Sequence, residues 1–192
     1  MKRIVILPLC LLLLCGGCGK KSSAAENIQE QYSRVAAAQM EAEVTFHTAQ
    51  ENRSFTLQCA FTPESSTVTV TAPETVKGIT ATVSGEELTI AYDGAVLSAG
   101  GAGTLGPVNA LPCLLQAIGS GYLLEEGRET LDGADCYRLT LDVGTAAAPL
   151  KCTAWLDAES LLPRYAEFAA DGAVVVSAKL LAFSCTLNES EN

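Results

Sequence analysis

From Glu41 onward, apolar side chains recur at every second position in short segments broken by turn residues, and this confines the chain to an antiparallel sheet. Val44, Phe46 and Thr48 alternate with Glu43, Thr45 and His47, and Phe55, Leu57, Cys59 and Phe61 alternate with Thr56, Gln58, Ala60 and Thr62. Val68 and Val70, then Ile79, Ala81 and Val83, then Leu88, Ile90 and Tyr92 continue the pattern. Thr62-Pro63-Glu64, Ala72-Pro73-Glu74, Ser84-Gly85-Glu86 and Asp93-Gly94 punctuate it. Connections this short join antiparallel neighbours, which predicts a meander. One face of each strand is apolar and the other is rich in Thr, Ser and Glu, as expected where one side of the sheet meets water.

Helices are expected at two places. Asn27-x-x-Glu30 offers an N-cap with a reciprocal acidic partner, followed by Ile28, Tyr32, Val35 and Ala36 at helical spacing. Asn109 is positioned to cap a second helix reaching about Ile118, with Pro112 in its first turn and Leu111, Leu114, Leu115 and Ile118 as its apolar stripe. Gly119-Ser120-Gly121 ends it. Such a helix lies over the sheet either as a lid or as a permanent part of the core. Strands then return at Tyr137–Val143, Leu150–Leu156 and Tyr165–Phe168. The Asp171-Gly172 hairpin signal leads into a last strand, Ala173–Thr186. The run Val174-Val175-Val176 alternates weakly, which predicts burial on both sides or a covered edge.

Between the meander and the second helix stands Ala99-Gly100-Gly101-Ala102-Gly103-Thr104-Leu105-Gly106-Pro107, read as a mobile loop. Gly101-x-Gly103-x-x-Gly106 formally matches a dinucleotide fingerprint. The strands around it are linked by hairpins rather than by strand–helix–strand crossovers, and Pro107 follows the last glycine, so nucleotide binding is not expected.

The amino terminus sets the location. Lys2 and Arg3 precede an apolar run, Ile4 to Cys15, too short to cross a hydrocarbon core of about 30 Å. Leu14-Cys15-Gly16-Gly17-Cys18 resembles the lipobox of bacterial lipoproteins, in which small residues precede the modified cysteine. The resemblance implies a signal peptide over residues 1–17 and a diacylglycerol on the Cys18 thiol, with further acylation such as palmitate at the new amino terminus. Residues 18–25 then form the lipidated cysteine and a short tether, and 26–192 form the folded domain. Two or more acyl chains give stable anchoring where one is marginal. The competing readings are simple secretion and a Cys15/Cys18 redox pair.

Composition narrows the function. The formal net charge is −10, and loss of Lys2 and Arg3 with residues 1–17 takes it to −12. Such a chain does not seek nucleic acid and is repelled by anionic headgroups. Cys59, Cys113, Cys136, Cys152 and Cys185 remain beyond Cys18, an odd and scattered set whose apolar neighbours suit core-filling thiols. No metal or cofactor is expected, because ligand residues are scattered and His47 is the sole histidine. No catalytic constellation stands out. His47 shares the polar face with Glu43 and Thr45, Asp157 and Glu159 flank a turn where carboxylates satisfy backbone donors, and Asn188-Glu189-Ser190 is an incidental glycosylation match.

Thr153-Ala154-Trp155-Leu156-Asp157, the Leu162-Pro163-Arg164-Tyr165 step into the next strand, Asp171-Gly172 and a strand passing Ala182-Phe183 resemble the outer-membrane lipoprotein carrier family (LolA/LolB-like). The order of elements agrees over roughly residues 26–186. The resemblance implies a mainly β fold with some α, an incomplete antiparallel β-barrel (half-barrel) with helices covering its concave face. It also implies a non-enzymatic protein that binds acyl chains of a lipid or lipoprotein. The apolar ligand would then meet Phe46, Phe55, Leu57, Phe61, Leu111, Leu114, Leu115 and Ile118. The alternative is a protein-interaction module that stabilises a cell-envelope partner, or pairs with its own copy. Germination-type lipoproteins that partner a cell-wall amidase resemble this class. Either way the chain is expected on the extracytoplasmic face of the membrane, held by its N-terminal lipid.

Overall fold

The computed structural model describes residues 23–188 apart from 86, 102–104 and 147. Cys15, Cys18, the signal segment and most of the tether lie outside the described residues. So do Glu86 of one turn signal, Gly103 of the glycine motif, and Glu189 and Ser190 of the glycosylation match. The order is α1 (Ala24–Ser33), β1 (Val35–His47), β2 (Asn52–Phe61), β3 (Ser65–Ala72), β4 (Thr80–Ser84), β5 (Glu87–Tyr92) and β6 (Ala95–Gly101). Then follow α2 (Ala110–Ser120), β7 (Tyr122–Leu131), β8 (Ala134–Asp142), β9 (Lys151–Asp157), β10 (Pro163–Ala170) and β11 (Ala173–Leu187). Among the described residues these strands form one 11-stranded sheet, in the order β6-β5-β4-β3-β2-β1-β11-β10-β9-β8-β7.

Every strand pair is antiparallel. The first and last strands pair at the centre, so two meanders spread as wings from β1 and β11. The outer strands β6 and β7 do not pair, and the sheet is an open half-barrel. Asp93-Gly94, Asp132-Gly133 and Asp171-Gly172 each have positive φ at both residues, which gives two-residue turns whose twist matches that of the flanking strands. The central place of β11 explains its weak alternation, since Val176, Ser177 and Ala178 are buried in succession.

Several local expectations are corrected. The cap of α1 is Ser23, whose Oγ accepts from the Glu26 amide at 3.1 Å while the Glu26 carboxylate accepts from the Ser23 amide at 3.1 Å. The capping box thus lies one turn earlier than Asn27-x-x-Glu30. Val35 and Ala36 belong to β1 rather than to the helix, because β11 offers the backbone a ladder there, with Val35 opposite Leu187. Asn109 occupies the N-cap position of α2, its carbonyl accepting from the Cys113 amide at 2.9 Å, but its side chain makes no capping hydrogen bond. Its Oδ1 accepts from the Gly106 amide at 2.6 Å, folding back onto the preceding loop. Ala99, Gly100 and Gly101, expected in a mobile loop, complete β6 opposite β5. β7 also lies where no strand is expected.

Both helices lie on the concave face. One register row of that face runs Leu139, Ala154, Ala166, Ala178, Val44, and all five are fully buried. Its three alanines leave room for the apolar stripe of α2, so Leu111, Leu114 and Ile118 are also fully buried. Each such leucine or isoleucine contributes roughly 1.5–3 kcal/mol relative to an exposed one. A Cβ at Gly119 would stand 3.1 Å from the Tyr32 backbone, so this glycine lets α2 pass close to the end of α1. No helix among the described residues is long and apolar enough to cross a membrane.

Candidate functional site: the open end of the concave face

The cover provided by the helices is one-sided. α2 packs mainly on β2, β8, β9 and β11, and α1 packs on α2 and β8. A register row that crosses the other wing records where the cover ends. Cys59, Val68 and Ala81 are at most 1% exposed, Ile90 is half-buried, and Leu97 on the outer strand is 68% exposed. All five side chains share the concave face, because directly opposed residues of neighbouring strands point the same way. Val83 and Leu88, opposed in the adjacent row, are half-buried, and Tyr92, two residues beyond Ile90, is 50% exposed. The result is an apolar strip on β4, β5 and β6 that continues the core and opens to water.

The eight residues named from the sequence lie together, but deeper. Leu57, Leu111, Leu114 and Ile118 are fully buried, Leu115 and Phe61 nearly so, and Phe46 and Phe55 pack half-buried against the same cluster. Phe46 and Phe55 also line an opening of about 570 Å³ with Thr48, Arg53 and Pro107. Their mutual packing closes the centre of the concave face. Alternation alone marks Ile79, Val83, Leu88, Ile90 and Tyr92 as strand residues and nothing more, and Leu97 escapes it because no strand is expected there. The signal that could find Leu97 is Val96-Leu97 itself, two large apolar residues directly before a glycine run.

The convex face carries polar structure. Arg138 on β8 pairs with Glu125 at 2.6 Å and with Glu129 at 3.5 Å, and the Trp155 indole donates to Glu129 at 3.1 Å. The hydrogen bond and charge of Arg138 hold Glu125 below the usual carboxylate range. His47 lies on this face as expected and meets the Ser177 hydroxyl at 3.0 Å. Asp157 also acts as expected of a turn residue, accepting from the Glu159 and Ser160 amides and the Ser160 hydroxyl at 3.0–3.2 Å. The five cysteines are free, and burial pushes the Cys59 thiol up to about 12 and raises Cys113 and Cys136 as well. Thiols of this kind fill space and stay protonated. Among the described residues no three His, Cys, Asp or Glu side chains converge as a metal site.

No family model matches the chain, and no curated protein does. Solved structures do match. An uncharacterised conserved protein from Thermus thermophilus superposes with a TM-score of 0.53 at 11% identity, covering 87% of this chain and 90% of its own. A LolA superfamily protein from Nitrosomonas europaea does so with a TM-score of 0.49 at 15% identity, covering 88% and 96%. A chain of the Clostridioides difficile complex between the CwlD amidase and the GerS lipoprotein is also similar, with a TM-score of 0.41 at 17% identity over 83% of this chain and 94% of its own. At these identities the likeness is one of fold alone. This half-barrel has a filled centre beneath two helices and an apolar strip left open on one wing.

Proposed function

We propose that the protein is a lipid-anchored, extracytoplasmic, non-enzymatic half-barrel that binds an acyl chain of a lipid or lipoprotein along the strip formed by Val83, Leu88, Ile90 and Leu97. The observation that carries this reading is the rise in exposure along one register row, from buried Cys59 to two-thirds exposed Leu97. Apolar surface that continues a core and meets water is stabilised by any apolar occupant. Each methylene removed from water is worth about 0.8 kcal/mol, and micromolar affinity needs about 8 kcal/mol before the costs of association. A long acyl chain meets that requirement and a short one does not. The filled centre, in which Leu57, Leu111, Leu114 and Ile118 are fully buried, is the core that the strip continues, and Cys18 is the residue that carries the anchor.

The test is titration of a fluorescent fatty acid into the Cys18→Ser protein, which cannot take the lipid. Saturable binding is expected, weakened at least tenfold by Leu97→Asp at an unchanged melting temperature. Absence of saturable binding, or full binding by Leu97→Asp, would contradict the reading.

A second reading, a module that holds an envelope protein, has its own observation. β6 is an outer strand without a single charged residue, and its Val96 is 67% exposed. The other outer strand, β7, carries Glu125, Glu126, Arg128 and Glu129, the kind of charge that discourages pairing. An extended segment of a partner would add to β6 by main-chain hydrogen bonding. Asp93 and Glu87 beside β6 favour a partner segment flanked by basic residues over a second copy. Val96 lies on the face opposite Leu97, so Val96→Lys separates the readings. It abolishes a stoichiometric partner and leaves fatty-acid binding intact.

A further inference from the structure

The start of α1 is fixed at one edge of the sheet. The Ala25 amide donates to the Glu126 carboxylate at 3.3 Å, and the Gln29 side-chain amide donates to the Gly121 carbonyl at 2.8 Å. Gly121 immediately precedes β7 and Glu126 lies within its first half. The next residue after Gly121 is Tyr122, 75% exposed, and Leu124 is 45% exposed at a register shift where β7 departs from β8. These are two large apolar residues in a strand whose other exposed positions are mostly charged.

Only Gly19, Lys20, Lys21 and Ser22 separate Cys18 from the Ser23 cap. A fully extended chain advances at most about 3.6 Å per residue, so the Ser23 cap lies within about 18 Å of the Cys18 backbone. A link this short holds the surface around the α1 start against the bilayer at high effective concentration. We propose that the β7 edge, through Tyr122 and Leu124, is the surface that rests on the phospholipid bilayer. A tyrosine suits that position, because its ring enters the apolar boundary while its hydroxyl stays with the headgroups. The acidic side chains of β7 would be repelled by anionic lipid, and two features offset this. Arg138 pairs with Glu125, and Lys20 and Lys21 stand in the link itself. The opposite edge of the sheet, which bears the open strip, is then not the edge that meets the membrane.

This inference rests on acylation of Cys18, so the experiment reads both. The full chain is expressed in a bacterium, its mass is measured intact, and it is reconstituted in vesicles of phosphatidylcholine brominated on the acyl chains. Tryptophan fluorescence is compared between Tyr122→Trp and Val96→Trp, with buried Trp155 as the common background. Quenching by bromine at least twofold greater for Tyr122→Trp is expected. Equal quenching, or greater quenching for Val96→Trp, in chains whose mass includes the lipid overturns the assignment of the edge. A mass without lipid overturns the anchoring reading, and the edge assignment falls with it.

Discussion

The Tyr32 hydroxyl donates to the Leu161 carbonyl oxygen at 2.8 Å, fastening α1 to the turn between β9 and β10. Leu161 has a φ of 58°, a left-handed conformation that is costly for a leucine, so this turn depends on its neighbours for support. The Tyr32 ring also packs on Phe183, with centroids 6.2 Å apart. Tyr32→Phe keeps the ring and removes the hydrogen bond. A loss of about 1 kcal/mol is expected, read as a fall in melting temperature of roughly 2–4 °C for a domain of this size. An unchanged melting temperature would mean that water satisfies the carbonyl equally well.

Gly121 joins α2 to β7, and an added Cβ there would stand 2.6 Å from the Ala117 carbonyl oxygen and 3.1 Å from the Leu141 Cβ. Gly121→Ala should therefore destabilise the domain by about 1–3 kcal/mol, as overpacking does. Urea unfolding is the check, and a midpoint equal to that of the parent would show that the junction yields freely.

Leu114 and Leu97 separate core from strip. Leu114 is fully buried under α2, and Leu114→Ala should cost about 2–5 kcal/mol. Leu97→Ala, at a side chain 68% exposed, should change stability by less than about 0.5 kcal/mol. Thermal unfolding of the two variants decides the point. Comparable losses would mean that the strip belongs to the folded core.

Stability should fall at both ends of the pH scale. Burial raises Cys59 to about 12 and pushes Tyr32 up too, aided by Cys185, whereas the unfolded chain gives up these protons from about pH 9 and pH 10. Above pH 9 the unfolded state binds fewer protons than the native state, so stability present below that pH is lost as pH rises. Asp157 behaves oppositely. The Ser160 amide and hydroxyl and the Glu159 amide hold it below the usual carboxylate range, so its contribution is present above about pH 4 and is lost as pH falls. Urea midpoints between pH 3 and pH 11 should pass through a maximum. Cys59→Ala should flatten the alkaline limb, and Asp157→Asn the acid limb.

Much of this architecture is legible in the chain because its signals are local. Asp-Gly turns with positive φ and the two-residue alternation of β1 through β5 identify a meander from sequence alone. The strands that escape notice are β6 and β7, the two edges. β6 is rich in glycine and alanine, and β7 is charged or polar from Glu125 to Thr130 apart from Gly127, so neither strand shows a clear two-residue alternation. The boundary of α1 is obscured because Val35 satisfies a helical pattern and a ladder with Leu187, and the ladder prevails. The candidate site is displaced for a related reason. Apolar residues such as Leu57 and Leu111 look alike in sequence whether they line a cavity or fill one, and only the one-sided placement of the helices separates the filled centre from the open strip.

Native mass spectrometry of the protein purified from its own host tests the central claim most directly. A lipid or fatty acid should be retained with the Cys18→Ser form at one equivalent or less, and be absent from the same form carrying Leu97→Asp. A protein that leaves its host free of lipid, with and without Leu97→Asp, would contradict it.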